Sequence, residues 1–226
     1  LLLIVKQPDT STSIAIALIF ISLLFIAGLS YKIVLTVLGI CIPTGLIGIT
    51  VILRMAQSSG DSRFGRIMAW LYPQDPRWSD IAAQQQNSIM AIGSGQLWGK
   101  GLNNSAATSM KNANYIIEPQ TDFIFAVAGE ELGFIGTMVI VLLLLFIVIE
   151  CILIARKAKD LAGRLICCGM AALIGFQSIF NIFVATGLMP NTGIPLPFVS
   201  YGLTSLLSLY LGMGFVLNVG LQPKKY

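Results

Sequence analysis

"FIGTMVIVLLLLFIVIECILIA", residues 134 to 155, holds a single charged side chain, Glu150, and runs straight into "RKAKDLAGR", residues 156 to 164. An apolar run of about 20 residues is long enough to cross a hydrocarbon core of roughly 30 Å as a helix. In lipid every backbone N–H and C=O must be paired, and a helix does this within one segment. The stretch therefore reads as a membrane-spanning helix, and the basic cluster marks its end.

Working outward, Ser13 to Ser30 and Ile33 to Leu53 precede it, and Leu165 to Leu188 and Leu196 to Val219 follow it, each apolar enough to read the same way. The 226 residues are 56% hydrophobic and 11% charged, against about 25% charged in an ordinary soluble domain. The expectation is an all-α polytopic membrane protein with five transmembrane helices, residues 1–226 forming one integral membrane domain. The chain opens on Leu1 with no charged n-region or small-residue cleavage site. That predicts no signal peptide, and a fragment whose N-terminal half is missing.

Charge placement predicts the topology. Arg156, Lys157, Lys159 and Arg164 crowd one short connection, Lys224 and Lys225 close the chain, and Lys32 lies between the first two spans, whereas Gly187 to Pro195 has no Lys or Arg. By the positive-inside rule the first three regions are cytoplasmic and the last is external. Residues 54–121 carry six basic residues, but this connection exceeds the roughly 60 residues over which the rule counts. It is read as a large extracytoplasmic loop containing short helices, on the outer face of a bacterial cytoplasmic membrane. The net charge of +4 suits membrane lipid or an anionic substrate, and no nucleic acid is expected as a partner.

Cys41, Cys151, Cys167 and Cys168 lie in or at the ends of apolar segments without CxxC spacing, and read as small core residues. Histidine is absent, which removes the commonest general base and the metal motifs built on it. Ionisable chemistry must then use the ten acids, the fourteen Lys and Arg, tyrosines or cysteines.

The long loop has internal pattern. "SRFGRIMAWLYPQDPRW" places Phe64, Ile67, Met68 and Leu71 at helical spacing beside Arg63 and Arg66. It reads either as an amphipathic helix in the headgroup layer with arginines toward lipid phosphates, or as a short packed helix. In "GSGQLWGKGL" glycines surround Lys100, so backbone can approach a ligand and a mobile cation is at hand for a phosphate. The plainer reading is a turn.

Asp122, Glu130 and Glu131 sit where the loop meets the span. A helix starting near Thr121, with Thr121 as cap, would put Asp122 in its first turn, favoured by the helix dipole. Glu130 would follow roughly 12 Å along the axis and some 80° around, with Glu131 on the opposite side. Ionisable side chains at that depth face protein or a wet cavity; the structural alternatives are an ordinary N-terminal acid and a buried pair. Pro195 and Pro197 in "NTGIPLPFVSYG" prevent helix from Thr192 through Pro197 and leave irregular backbone near membrane depth; Ser200 and Tyr201 there read either as substrate contacts or as an ordinary helix-start cap and an interfacial tyrosine.

"PQTDFIFAVAGEELGFIG" and "MPNTGIPLPFVSYGLTSLL" resemble the signature segments of the SEDS family, the FtsW, RodA and SpoVE group of cell-wall polymerases. "VKQPDTSTS", "LFIAGLSYK" and "NSIMAIGSGQLWGKGL" are similar to three more of its segments, in the family order. The resemblance implies a fold of ten transmembrane helices, of which these five correspond to the last five. It also implies a peptidoglycan glycosyltransferase that polymerises lipid II outside the membrane, alongside a class B penicillin-binding protein, in division, elongation or sporulation. Asp122, in the family's TDF motif, is implied as the catalytic residue. Two positions depart from the family pattern: Ser11 and Leu203 stand where glycine is usual, and Leu203 adds bulk where helices would otherwise approach closely.

Glycan extension needs a carboxylate to take a sugar hydroxyl proton and a cation or metal to meet the departing diphosphate. Asp122 is the expected base, although an unperturbed Asp, pKa about 3.9, is weak unless burial, Glu130 or a metal strengthens it. Lys100, Glu118, Thr121, Glu130, Glu131 and Ser200 are the expected substrate contacts. Mg or Mn is the expected divalent cation, on Asp122 with Glu118 as a further oxygen ligand. The rival expectations are a lipid II flippase, with charges along a path through the bilayer, and a non-enzymatic scaffold for the penicillin-binding protein.

Overall fold

The computed structural model describes residues 10–28, 32, 36, 39, 65–102 and 120–222, and among these every regular element is a helix. They are α1 (Thr10–Ile26), α2 (Gly65–Leu71), α3 (Ser79–Ser94), α4 (Ile124–Lys157), α5 (Leu161–Ala185) and α6 (Leu203–Leu221). Three of them, α4, α5 and α6, are long and apolar enough to cross a membrane, and α1 is a shorter apolar helix. The predicted span at Ile33 to Leu53 lies outside the described residues apart from isolated positions.

The central helix is α5, against which α1, α3, α4 and α6 all pack. Its ends follow from local chemistry. Asp160 caps the start, its side chain accepting from Gly163 N at 3.1 Å, one of the orphan donors of a helix N-terminus. At the other end Gly187 (φ +80) turns the chain, with Gly187 N donating to Val184 O and Leu188 N to Phe183 O. That is the paired bonding of a Schellman cap.

Two apolar layers hold the bundle. Phe125, Leu144, Ile174, Ala185, Leu196 and Leu209 form one, toward the α5 C-terminus. Cys151, Ala155, Cys167, Ala171, Val216 and Val219 form the other, so two of the cysteines are small buried fillers of the core. Outside these layers α4 and α6 expose Leu142, Leu143, Phe146, Leu207, Leu211 and Phe215, the all-round apolar character of a helix that meets lipid.

Two boundaries differ from the sequence reading. The regular helix of α4 starts at Ile124 after Phe123, with no side-chain cap, because residues 120–123 form a turn tied to other elements; Thr121 is not its cap. The last span starts at Leu203, because the backbone from Pro190 to Gly202 is irregular around Pro195 and Pro197. Leu203 is 86% exposed, so among the described residues its bulk meets no close helix contact. Ser11's side chain lies outside the described ones.

α4 is also broken within itself. Gly133 takes φ 68° and ψ −169°, a conformation that essentially only glycine reaches. The break separates an upper piece, Ile124 to Leu132, from the apolar rod that begins at Phe134, the residue where hydropathy placed the start of the span.

Candidate functional site

The groups orphaned by the Gly133 break are taken up by the glycine-rich loop that follows α3. Lys100 N donates to Glu130 O at 2.9 Å and Gly101 N to Glu131 O at 3.1 Å; in return Phe134 N donates to Gln96 O at 2.8 Å and Ile135 N to Leu97 O at 3.2 Å. The loop and the break thus complete each other's hydrogen bonding, as buried backbone requires. The same loop carries Lys100, whose Nζ lies 2.9 Å from Oε1 of Glu130. Glu130 is buried and Glu131 half-buried, so the two neighbouring glutamates have different surroundings.

Asp122 lies in the turn before α4. Asn181 of α5, buried, donates to the Asp122 carbonyl and to the Ile194 carbonyl, both at 2.8 Å. Ser200 donates to Thr121 O at 2.7 Å and accepts from Leu196 N at 2.8 Å, while Tyr201 N donates to Gln120 O at 2.8 Å. The 120–123 turn is therefore stitched to the 190–201 segment at both ends, with Phe123 buried beneath it against Ala91, Ala126 and Val184.

The stitching brings Gly193 to the Asp122 carboxylate. A β-carbon on Gly193 would stand 3.5 Å from Asp122 Oδ2 and 3.7 Å from Arg66 Nη1, so the acid and the guanidinium face one point above a bare backbone. Next to it Thr192 Oγ1 is buried and, among the described residues, meets no hydrogen-bond partner. Arg66 reaches this place because α2 is a short packed helix: Met68 and Ala69 are buried against Trp78 and Ala82, and Trp70 Nε1 donates to Gly187 O at 2.9 Å. Gln85 and Ser88 of α3 fasten the other side, donating to the carbonyls of Val184, Met189 and Ala185.

Of the residues singled out from sequence, Asp122, Thr121 and Ser200 come together here. Ser200 is 2% exposed with its hydroxyl engaged within the chain, so it holds the turn rather than presenting itself to solvent. Lys100, Glu130 and Glu131 gather at the helix break. Glu118 lies outside the described residues. Sequence reasoning left the Arg66 segment open between a helix facing lipid phosphates and a short packed helix, of which the structure shows the second, and gave no site role to Asn181, Thr192 or Gly193. Phe198, with φ +62 and its ring edge-on to Tyr210, is a second feature it missed; a bulky residue with positive φ is uncommon and sits here in the wall beside the site.

A sequence model of the family described as "Cell cycle protein", FTSW_RODA_SPOVE, matches residues 1–225. The chain belongs to the FtsW/RodA/SpoVE family. Among its relatives, the probable peptidoglycan glycosyltransferase FtsW of Geobacter sulfurreducens is 35% identical over 225 residues, 99% of this chain and 57% of that protein. Stage V sporulation protein E of Bacillus subtilis is 38% identical over 221 residues, 96% of this chain and 56% of that protein. A solved structure described as "Structural coordination of polymerization and crosslinking by a peptidoglycan synthase complex" overlays with a TM-score of 0.66 at 25% identity, covering 96% of this chain and 57% of that one. The chain spans little more than half the length of these family members, and its long apolar helices make it a multi-pass membrane protein.

Proposed function

We propose that the full-length protein is a peptidoglycan glycosyltransferase that polymerises lipid II at the outer face of the bacterial cytoplasmic membrane, together with a class B penicillin-binding protein. The observation that carries this reading is the placement of the Asp122 carboxylate and Arg66 about Gly193, in a family with relatives named probable peptidoglycan glycosyltransferase. A base and a cation on one point are the two groups that sugar transfer from a lipid diphosphate requires.

In this reading the sugar hydroxyl of one lipid-linked substrate attacks the anomeric carbon of another. Asp122 takes the hydroxyl proton, the new glycosidic bond forms, and the bond to the diphosphate breaks. Arg66 is a cation that the fold brings to this chemistry, and its planar fork matches phosphate oxygens. The charge of Glu130 is met by Lys100. Asn181 and Ser200 hold the turn, so that the carboxylate meets substrate without first being ordered.

A divalent ion suits the oxygen donors of this place. Among the described residues no three His, Cys, Asp or Glu gather, so an Mg or Mn ion would be held by Asp122 with substrate phosphate oxygens, as Mg commonly is. It would supply charge neutralisation for the departing diphosphate.

The test is lipid II polymerisation by the purified full-length protein with its penicillin-binding partner, comparing wild type with Asp122→Asn and Asp122→Ala at equal folding and fixed Mg. A loss of at least about 100-fold with the partner complex retained supports the reading. Wild-type polymerisation by both variants overturns it, and returns the family member to a flippase or scaffold role.

A further inference from the structure

At the far end of α4 from Asp122, a concavity of about 290 Å³ is lined by Arg156 and Arg164 over a floor of Ile152, Ala155 and Cys168. Ile152 and Cys168 also line a second cavity, about 440 Å³, which runs on between α1, α4 and α5 past Val148, Ala172, Gly175 and Ile179. We propose that these two cavities form one phospholipid site, with the headgroup phosphate between Arg156 and Arg164 and an acyl chain in the apolar continuation.

Sequence spacing builds the site. On α4, Val148, Ile152, Ala155 and Arg156 recur at helical intervals, and on α5 so do Arg164, Cys168, Ala172, Gly175 and Ile179; each set shares a face. The two helices run antiparallel through the short turn at residues 158–160, so the arginines oppose each other at the mouth and the apolar residues follow below. From Arg164 to Ile179 is about 22 Å of helix, longer than the roughly 15 Å of one leaflet. Small side chains at Ala171, Ala172 and Gly175 keep the channel open.

Charge selects the occupant. Neither arginine takes part in an ion pair among the described residues, and the nearby Asp160 carboxylate is engaged in capping α5. Two guanidinium groups on one concavity repel until an anion sits between them, and each offers a fork suited to phosphate oxygens. Exposed Lys157 and Lys159 enlarge the positive field. A topology signal needs only the charges; it needs neither a concavity between them nor an apolar channel leading away. A basic pocket between membrane helices is the known form of an anionic headgroup site, and free phosphate would use only its mouth.

The test uses the full-length protein in detergent micelles, with retention of dioleoyl-phosphatidylglycerol read by native mass spectrometry against dioleoyl-phosphatidylcholine. Wild type should retain the anionic lipid at least ten-fold better. Arg156→Gln/Arg164→Gln should fall to the phosphatidylcholine level, Gly175→Leu should weaken retention of both lipids by closing the channel, and Lys157→Gln/Lys159→Gln, an equal change of charge, should keep the preference. Equal retention by wild type and the arginine variant overturns the proposal and assigns the groove to another part of the chain. Equal loss in the lysine control also overturns it, as a matter of surface charge alone. Displacement of the lipid by millimolar inorganic phosphate overturns it in favour of a free-anion site.

Discussion

Lys100 Nζ lies 2.9 Å from Glu130 Oε1, and Glu130 is 1% exposed. Removing one member of a buried pair strands the other charge, at a cost of several kcal/mol. Lys100→Ala should destabilise the full-length protein by about 3 kcal/mol, seen as a lower thermal midpoint in detergent. Lys100→Met/Glu130→Leu should recover most of that loss. If the double variant also regains polymerisation, the pair is structural; if it stays inactive, the pair meets substrate.

Gly193→Ala tests the point where acid and guanidinium meet. The added methyl would touch Asp122 Oδ2 and Arg66 Nη1 at ordinary contact distance, while φ +68 imposes about 1–2 kcal/mol of strain. Stability should drop by that amount and polymerisation by well over the corresponding ten-fold, measured as kcat and KM on lipid II. A drop in activity no larger than that expected from partial unfolding would remove Gly193 from the site.

Arg66→Ala should leave stability, read from thermal unfolding, within about 0.5 kcal/mol of wild type, as an exposed charge does, and should reduce polymerisation at least ten-fold. Arg66→Lys should restore only part of it, because a point charge replaces a planar fork. Full activity in Arg66→Ala would return the diphosphate to Lys100 or to a metal alone.

Asn181→Ala withdraws donors from two carbonyls at once, those of Asp122 and Ile194. Buried acceptors left without partners should cost about 2 kcal/mol or more. Hydrogen exchange should rise at residues 120–123 and 192–196 before it rises elsewhere, and kcat should fall more than KM rises. Uniform exchange across the chain would show that the residue is not a local staple.

Gly133→Ala should be the most damaging single change outside the site. Its β-carbon would fall 2.7 Å from the Leu97 carbonyl group and collide with Gly99 N, at a backbone angle that only glycine reaches readily. A loss of about 3 kcal/mol in thermal unfolding is expected, and a loss below about 1 kcal/mol would mean that the break is not held as described.

Hydropathy located the spans well because lipid demands it: the rod starting at Phe134 and the helix around Leu165 to Ala185 could be read directly. It failed at Leu196 to Gly202, where Leu196, Phe198 and Val199 count as apolar although two prolines forbid regular helix. Asp122 was visible through the family motif and through its place ahead of a span. Arg66 was not, since its approach to Gly193 depends on α2 and the 190–197 segment folding against each other across more than a hundred residues of chain. Local spacing carries no trace of such a contact. A buried pair at Glu130 stood open in the sequence as one of two readings, with an arginine or backbone amides as its partner, and only the loop wrapped about the Gly133 break showed that Lys100 is the side chain that meets it.

That break also separates two mechanical duties. A continuous rod that tilts to match a thicker or thinner bilayer would carry any side chain at its top with it. Here the rod ends at Phe134, while the turn bearing Asp122 is bonded to α5 and the 190–201 segment, and the short piece after it is bonded to the glycine-rich loop and packed on α3. The helix beyond Phe134 can tilt with the lipid around it, while the turn that carries the carboxylate stays fixed to α5 and the 190–201 segment.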